Sequence, residues 1–327
     1  MIAKLLYGYK ATQCLYVVAK LNIADHIANG NKSINALAAI TDTKPEPLHR
    51  VMRCLVSLGF FEEKTDNIFS LNQVAEDLRS DSENTIKDFI ILCGEELYQS
   101  AGELLYTVKT GLPAFDHIYG MSHWKYLDKH PDKAKIFHDA MQKGTGPMLR
   151  EIIKHYDFAS YKKIVDVGGG KGHLLCEILS NNPHVTGVVF DLENAKNSAI
   201  NYIKEKSLDN RCEFVMGNFF ISIPANGDIY LLKVVLHDWD NESAKLILQN
   251  CRKKMSKSSK LLIIEKVIEN DKFKDLACLG DINMLVTCAG KERTLVEFQN
   301  LLGSADLQLT KIINTSTVFS IIEAETV

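Results

Sequence analysis

Two spacings of apolar residues divide the chain. Through about residue 160 they recur every three to four positions, as on helices, and from Lys163 short apolar runs alternate with helical segments. Ala11–Ala28 has the helical pattern, and Ser33 can cap a short helix reaching Ile40. Thr41–Lys44 reads as a turn, Pro45 and Pro47 open a helix to Leu58, and Gly59 stops it. Phe60–Glu63 and Ile68–Leu71 flank Asp66-Asn67 as a hairpin. Helix, turn, helix, hairpin is the order of a winged helix. Residues 84–160 read as mostly helical. Trp124–Leu127 and Lys135–Gln142 are separated by Pro131, and Gly144–Pro147 marks another break. Beyond Lys163, strands are expected at 163–167, 185–190, 212–216, 228–232, 260–265, 308–313 and 318–324. Helices are expected near 173–181, 194–206, 241–255 and 294–304. That alternation predicts an α/β fold with a mostly parallel sheet covered on both faces. The expected division is a domain over 1–100 and a second over 101–327.

Composition narrows the picture. A chain of 327 residues exceeds one ordinary core and suits two domains. Its net charge of −3 gives no general attraction to nucleic acid or anionic membrane. The winged-helix region raises DNA binding as a function, but its charges oppose it. Through Ser80, nine Lys and Arg face eight Asp and Glu, a net of +1, and the hairpin brings Glu62 and Glu63. Packing or dimerisation is the expectation there. No apolar run approaches the roughly 20 residues of a membrane span. Met1–Lys10 lacks a leader pattern, and the eight cysteines form no C-x-x-C pair. These features predict a cytoplasmic chain with free thiols and no metal site.

The chemistry begins at Ile164-Val165-Asp166-Val167-Gly168-Gly169-Gly170-Lys171-Gly172, an apolar run ending in glycines and followed by a helical segment. The next apolar run, Val185–Phe190, ends in Asp191, about 20 residues after the loop. Strand, glycine turn, helix, strand, acid is how an α/β sheet holds a nucleoside-bearing cofactor, with the acid accepting ribose hydroxyls. The dinucleotide fingerprint wants glycine at its first, third and sixth positions, but here these hold Gly168, Gly170 and His173. The failed sixth position favours S-adenosylmethionine, which has no pyrophosphate, over a nicotinamide cofactor or a bare turn. Asp166 could face the ammonium group of that cofactor.

A second cluster follows the strand Asp228–Leu232, where Lys233-Val234-Val235-Leu236-His237-Asp238-Trp239-Asp240 reaches the rim that binds ligands in such sheets. Glu265 ends the next strand on the same rim. Glu292 lies in Gly290-Lys291-Glu292-Arg293-Thr294, ahead of a helix. A histidine with two carboxylates suits a general base and its orienters. Taken singly, each has an ordinary alternative. His237 could be a satisfied surface residue and Glu265 a cap. Glu292 could pair with Lys291 or Arg293 in solvent, and Trp239 could simply pack.

Together these motifs, with Phe190-Asp191-Leu192, resemble the small-molecule O-methyltransferases of the caffeate and hydroxyindole type, which include bacterial tailoring enzymes. The likeness spans nearly the whole chain. It implies a Rossmann-like S-adenosylmethionine methyltransferase sheet with an N-terminal, mainly helical winged-helix domain that builds an intertwined homodimer. It implies O-methylation of a phenolic or enolic hydroxyl on a small aromatic metabolite, with S-adenosylhomocysteine as product. The resemblance assigns Gly168, Asp191, Asn218, Phe219 and Lys233 to the cofactor, with Asn218 and Phe219 beside adenine, and the reading of the loop adds Asp166 and Gly170. His237 becomes the proton acceptor flanked by Glu265 and Glu292, while Phe137, Met141 and Met284 line the substrate. Asn218 stands where the family usually has aspartate; an amide can still accept a hydrogen bond from the adenine amine, so weaker cofactor binding at most is expected. Thr287 or Cys288 stands near an asparagine of the plant members, which argues against a plant-type substrate. The competing readings are a small-molecule-responsive winged-helix regulator and a nicotinamide oxidoreductase.

Overall fold

The computed structural model describes residues 2–143, 146–268 and 274–327, which form two compact units. The expected break at Gly144–Pro147 falls partly outside the described residues. One unit holds the chain to Glu103 and returns for His117–Gly146, and the other holds Leu104–Asp116 and Pro147–Val327.

The first unit is mainly helical. Its opening helix runs Ile2–Lys20 and a second Ile23–Ala28. The pattern over Ala11–Ala28 suggests one helix, but Asn22 takes a left-handed φ of 54° and divides it. Asparagine tolerates that conformation because its short polar side chain bonds locally. The helix Ile34–Ile40 is capped by Ser33, whose hydroxyl accepts the Ala36 N–H at 3.2 Å. Pro45 opens the helix Pro45–Ser57, and Gly59, at φ 90°, lies beyond its end. Strands β1 (Glu62–Thr65) and β2 (Ile68–Ser70) form the hairpin. Ile23, Leu37, Met52, Leu55, Phe61 and Phe69 pack as its buried core. Helix Pro131–Lys143 has its proline at the first helical position and packs on helix Lys87–Gly94.

The second unit is built on a seven-stranded sheet of β3 (Lys163–Val167), β4 (Thr186–Asp191), β5 (Cys212–Met216), β6 (Ile229–Lys233), β7 (Lys260–Lys266), β8 (Leu307–Asn314) and β9 (Phe319–Thr326). Its order is β5-β4-β3-β6-β7-β9-β8. The first five strands are parallel, and β9 runs antiparallel to both β7 and β8. Both faces are covered, which is why the central strands read as continuous apolar runs. Val165, Val167, Tyr230 and Leu232 belong to one buried layer, and Ile164, Val189, Leu231 and Leu262 to the other. Strand order reverses at β3, between β4 and β6, so the crevice for a ligand opens beyond the carboxyl ends of these strands. Helix Lys274–Thr287, which the apolar spacing does not reveal, also belongs to this unit.

Candidate active site

The glycine loop leaves β3 and is tied to the acid after β4. The Gly170 N–H donates to Asp191 Oδ2 at 2.7 Å, and the Leu192 N–H donates to Asp191 Oδ1 at 2.7 Å. A carboxylate oxygen carries two lone pairs, so each can accept a second donor. Gly168 and Gly170 have φ of 72° and 57°, and a Cβ on Gly170 would meet nothing within 4 Å, so the loop borders open space. A Cβ on Gly168 would lie 3.0 Å from Val235 Cγ2, so the loop after β6 comes close to the glycine turn.

Beneath the loop, Asp166 is 1% exposed and neither carboxylate oxygen has a hydrogen-bond partner. Burial pushes its pKa to about 7, against the nearby charge of Lys233 and with a smaller push from Asp191. Burial likewise lowers the pKa of Lys233, against the charge of Asp166. A buried carboxyl with two unmet oxygens is suited to a cationic ligand group. The ammonium of S-adenosylmethionine fits that need, and Asp191 at the loop suits its ribose. At the end of β5, Asn218 Oδ1 accepts the Phe220 N–H at 2.9 Å, leaving the Asn218 amide partly committed to its own turn. The Phe219 ring meets Trp239 at 6.0 Å, edge to face.

The turn after β6 is strained and heavily held. Val234 has a φ of 56°, rare for a β-branched residue. The Glu265 carboxylate at the end of β7 fixes this turn. Its Oε1 accepts the N–H groups of Val235 at 3.2 Å and His237 at 3.1 Å. Glu265 therefore acts on the backbone beneath the imidazole, and burial pushes its pKa to about 7, against the charge of His237. The ring itself meets two other acids. Nδ1 of His237 lies 3.1 Å from Glu292 Oε1, and Nε2 lies 3.5 Å from Asp238 Oδ1. Glu292 is 2% exposed, not paired in solvent. Burial opposes its charge, but the His237 hydrogen bond and the charges of His237 and Lys266 outweigh that and lower its pKa. Glu292 is thus ionised, and Nδ1–H donates to it. Burial acts to lower the His237 pKa, but Asp238, then Glu292 and Glu265, outweigh it and raise it to about 9. Asp238 itself is pushed up to about 6, chiefly by burial.

Three supports are not evident from the motifs alone. Arg293 is fully buried and donates to the carbonyls of Leu236 and Trp239, both at 2.8 Å, clamping the histidine turn to the following loop. Gly290 sits so close that a Cβ there would lie 2.0 Å from the His237 carbonyl oxygen. Lys266 Nζ donates to Glu292 Oε1 at 2.7 Å. The signal available for Asp238 and Arg293 is adjacency to His237 and Glu292; nothing in the pattern marks Lys266.

Asp166, Gly168, Gly170, Asp191, Asn218, Phe219, Lys233, His237, Glu265 and Glu292 all lie in the second unit, in or just beyond the carboxyl-terminal ends of its strands or in the Gly290 loop. Met284 belongs to the same unit, on helix Lys274–Thr287. Phe137 and Met141 belong to the first, where they pack with Leu92, Leu97 and Ala140.

The O-methyltransferase domain model matches residues 102–308, and the O-methyltransferase dimerisation domain model matches residues 3–81. The phenazine O-methyltransferase PhzM of Lysobacter antibioticus is 37% identical over 324 residues, covering 99% of this chain and 95% of that one. The crystal structure of LaPhzM has a TM-score of 0.94 at 36% identity, with 100% and 98% of the two chains covered. NcsB1 from neocarzinostatin biosynthesis, solved with S-adenosylmethionine and 2-hydroxy-5-methyl naphthoic acid, has a TM-score of 0.85 at 30% identity, with 97% and 96% covered. The chain belongs to the S-adenosylmethionine-dependent O-methyltransferases. Its cofactor is S-adenosylmethionine. Among the described residues, no helix is long and apolar enough to cross a membrane.

Proposed function

We propose that this chain methylates a phenolic or enolic hydroxyl on a small planar aromatic metabolite, with His237 as general base, and that it works as a homodimer. One observation carries the reading. A buried imidazole, held through Nδ1 by ionised Glu292, stands on the sheet rim that also carries the Gly170–Asp191 bracket. The fused rings named for the two relatives, a phenazine and a naphthoic acid, favour an acceptor of that shape. The family pattern suggests Phe137, Met141 and Met284 as its apolar contacts.

When bound, S-adenosylmethionine supplies a methyl group on a sulfonium, already a good leaving group. The work left to the protein is to hold the acceptor and manage its proton. A phenol has a pKa of about 10, so little is ionised near neutrality. Neutral His237 takes the phenol proton at Nε2, and the imidazolium that results is stabilised by Glu292 and Asp238. Imidazolium with phenolate has the same proton count as imidazole with phenol, so a raised His237 pKa favours the reactive ion pair. After transfer the proton passes from Nε2 to water. A positioned base contributes about 10²–10⁴-fold, and alignment of oxygen with methyl can contribute ~7–11 kcal/mol.

His237→Ala tests the assignment. With a hydroxyphenazine and other fused-ring phenols as acceptors, cofactor affinity by calorimetry should be unchanged and turnover should fall by at least about a hundredfold. Turnover within about threefold of the parent would remove His237 as the base.

A further inference from the structure

We infer that Lys266 is a positioning residue for methyl transfer: its ammonium holds the same Glu292 oxygen that His237 binds, and so restrains the proton affinity of the imidazole. Its catalytic meaning rests on the reading of His237 as the base. Lys266 is the last residue of β7, one past Glu265. Its Nζ lies 2.7 Å from Glu292 Oε1, the atom 3.1 Å from His237 Nδ1. Glu292 Oε2 is buried with no hydrogen-bond partner, so both cationic groups converge on one oxygen. Any negative charge that Lys266 draws is withheld from the ring.

The packing makes room for this arrangement. A Cβ on Gly280, in helix Lys274–Thr287, would lie 2.6 Å from Lys266 Nζ and 3.1 Å from Glu292 Oε1. The strand that ends in Lys266 continues into a parallel bridge between Val267 and Arg293, which seats the lysine beside the Glu292 loop. The Glu292 N–H is in turn held by Asp281 Oδ1 at 3.0 Å.

The charges facing His237 come from every element around it. Asp238 lies on its own turn, Glu265 on β7 and Glu292 on the Gly290 loop, and all three favour the protonated ring. Lys266 acts against that set, directly on Glu292 and at longer range on Asp238. Arg293 is spent on backbone carbonyls and the Asn241 side chain, and its charge bears on Glu265. Lys291 turns to Glu297 at 2.5 Å. Among the described residues, Lys266 is the lysine or arginine side chain bonded to the Glu292 carboxylate.

The test reads the imidazole itself. His237 is titrated by NMR with histidine-selective carbon labelling in the full chain, its signal assigned by loss in His237→Gln. Lys266→Met should move the midpoint upward by about one pH unit, the size expected for a charge at this range, and Lys266→Arg should stay near the parent. Gly280→Ala, whose Cβ would crowd the ammonium at 2.6 Å more than the Glu292 oxygen at 3.1 Å, should move it in the same direction. The acid limb of kcat/KM should follow to higher pH, and activity at pH 7 should fall by less than the roughly tenfold change in neutral imidazole, because the more basic ring also favours the phenolate. Midpoints within about 0.3 of the parent in both Lys266→Met and Gly280→Ala would overturn the proposal, as would Lys266→Arg shifting as far as Lys266→Met. A shifted midpoint with an unmoved rate profile would uphold the electrostatic link and retire His237 as the base.

Discussion

Asp238 and Glu292 outweigh the burial of His237 and push its pKa up to about 9. With His237 as the proposed base, a ring protonated below that pH would not take a proton from a phenol. The logarithm of kcat/KM should therefore rise by about one per pH unit until about pH 9, as measured by steady-state rates across buffers. Glu292→Gln removes a group that raises the pKa, so the limb should move to lower pH while kcat falls. An unmoved limb would show that Glu292 does not govern the ring. Asp191→Ala should weaken cofactor binding by roughly one to two orders of magnitude, since charged hydrogen bonds contribute about 1.5–3 kcal/mol each. Unchanged affinity by calorimetry would remove Asp191 from the ribose site. At this scale the motifs show which residues have chemistry, because glycine, aspartate and histidine at strand ends have few other reasons to cluster. They do not show where each side chain points. Glu265 and Glu292 look equivalent in the sequence, yet one grips two backbone N–H groups and the other grips the ring. Asn218 reads as an adenine contact, yet its carbonyl is partly engaged by Phe220.

Between elements, backbone proximity sets the site. The Gly290 loop touches the His237 turn so closely that Gly290→Ala would force a Cβ to within 2.0 Å of the His237 carbonyl. No flexible side chain is available there to yield, so the two loops must separate. Turnover should fall at least about a hundredfold and Tm should drop by several degrees, typical of overpacking at a buried contact. A variant with parental rates and Tm would mean that the loops are free to move apart. The central strands were legible because burial on both faces leaves unbroken apolar runs such as Ile229–Leu232. Helix Lys274–Thr287 was not. It mixes exposed Leu276 and Leu279 with buried Ala277 and Val286, so no single apolar stripe marks it. The interruption at Asn22 escaped the pattern for another reason, since apolar spacing continues through a residue whose backbone has turned left-handed.

On the molecular scale, the opening helix exposes Ile2, Leu5 and Leu6 at 72%, 73% and 67%, within and beside the segment matched as a dimerisation domain. Apolar surface of that extent on one short segment calls for a partner. Light scattering should give twice the 36.7 kDa chain mass, and Leu5→Asp with Leu6→Asp should shift the equilibrium toward the single chain. A parental mass that already equals one chain would refute the homodimer. What the linear pattern could not reveal here is the return of His117–Gly146 to the first unit, because periodicity records local structure and not distant packing. That return has a practical corollary. The polypeptide is threaded through its two bodies like a double stitch, so severing it at Glu103 would strip the amino-terminal piece of the Pro131–Lys143 helix that rests on Lys87–Gly94. Neither body can be excised as one continuous fragment, and anyone wishing to express the amino-terminal part alone would have to splice the returning segment back on.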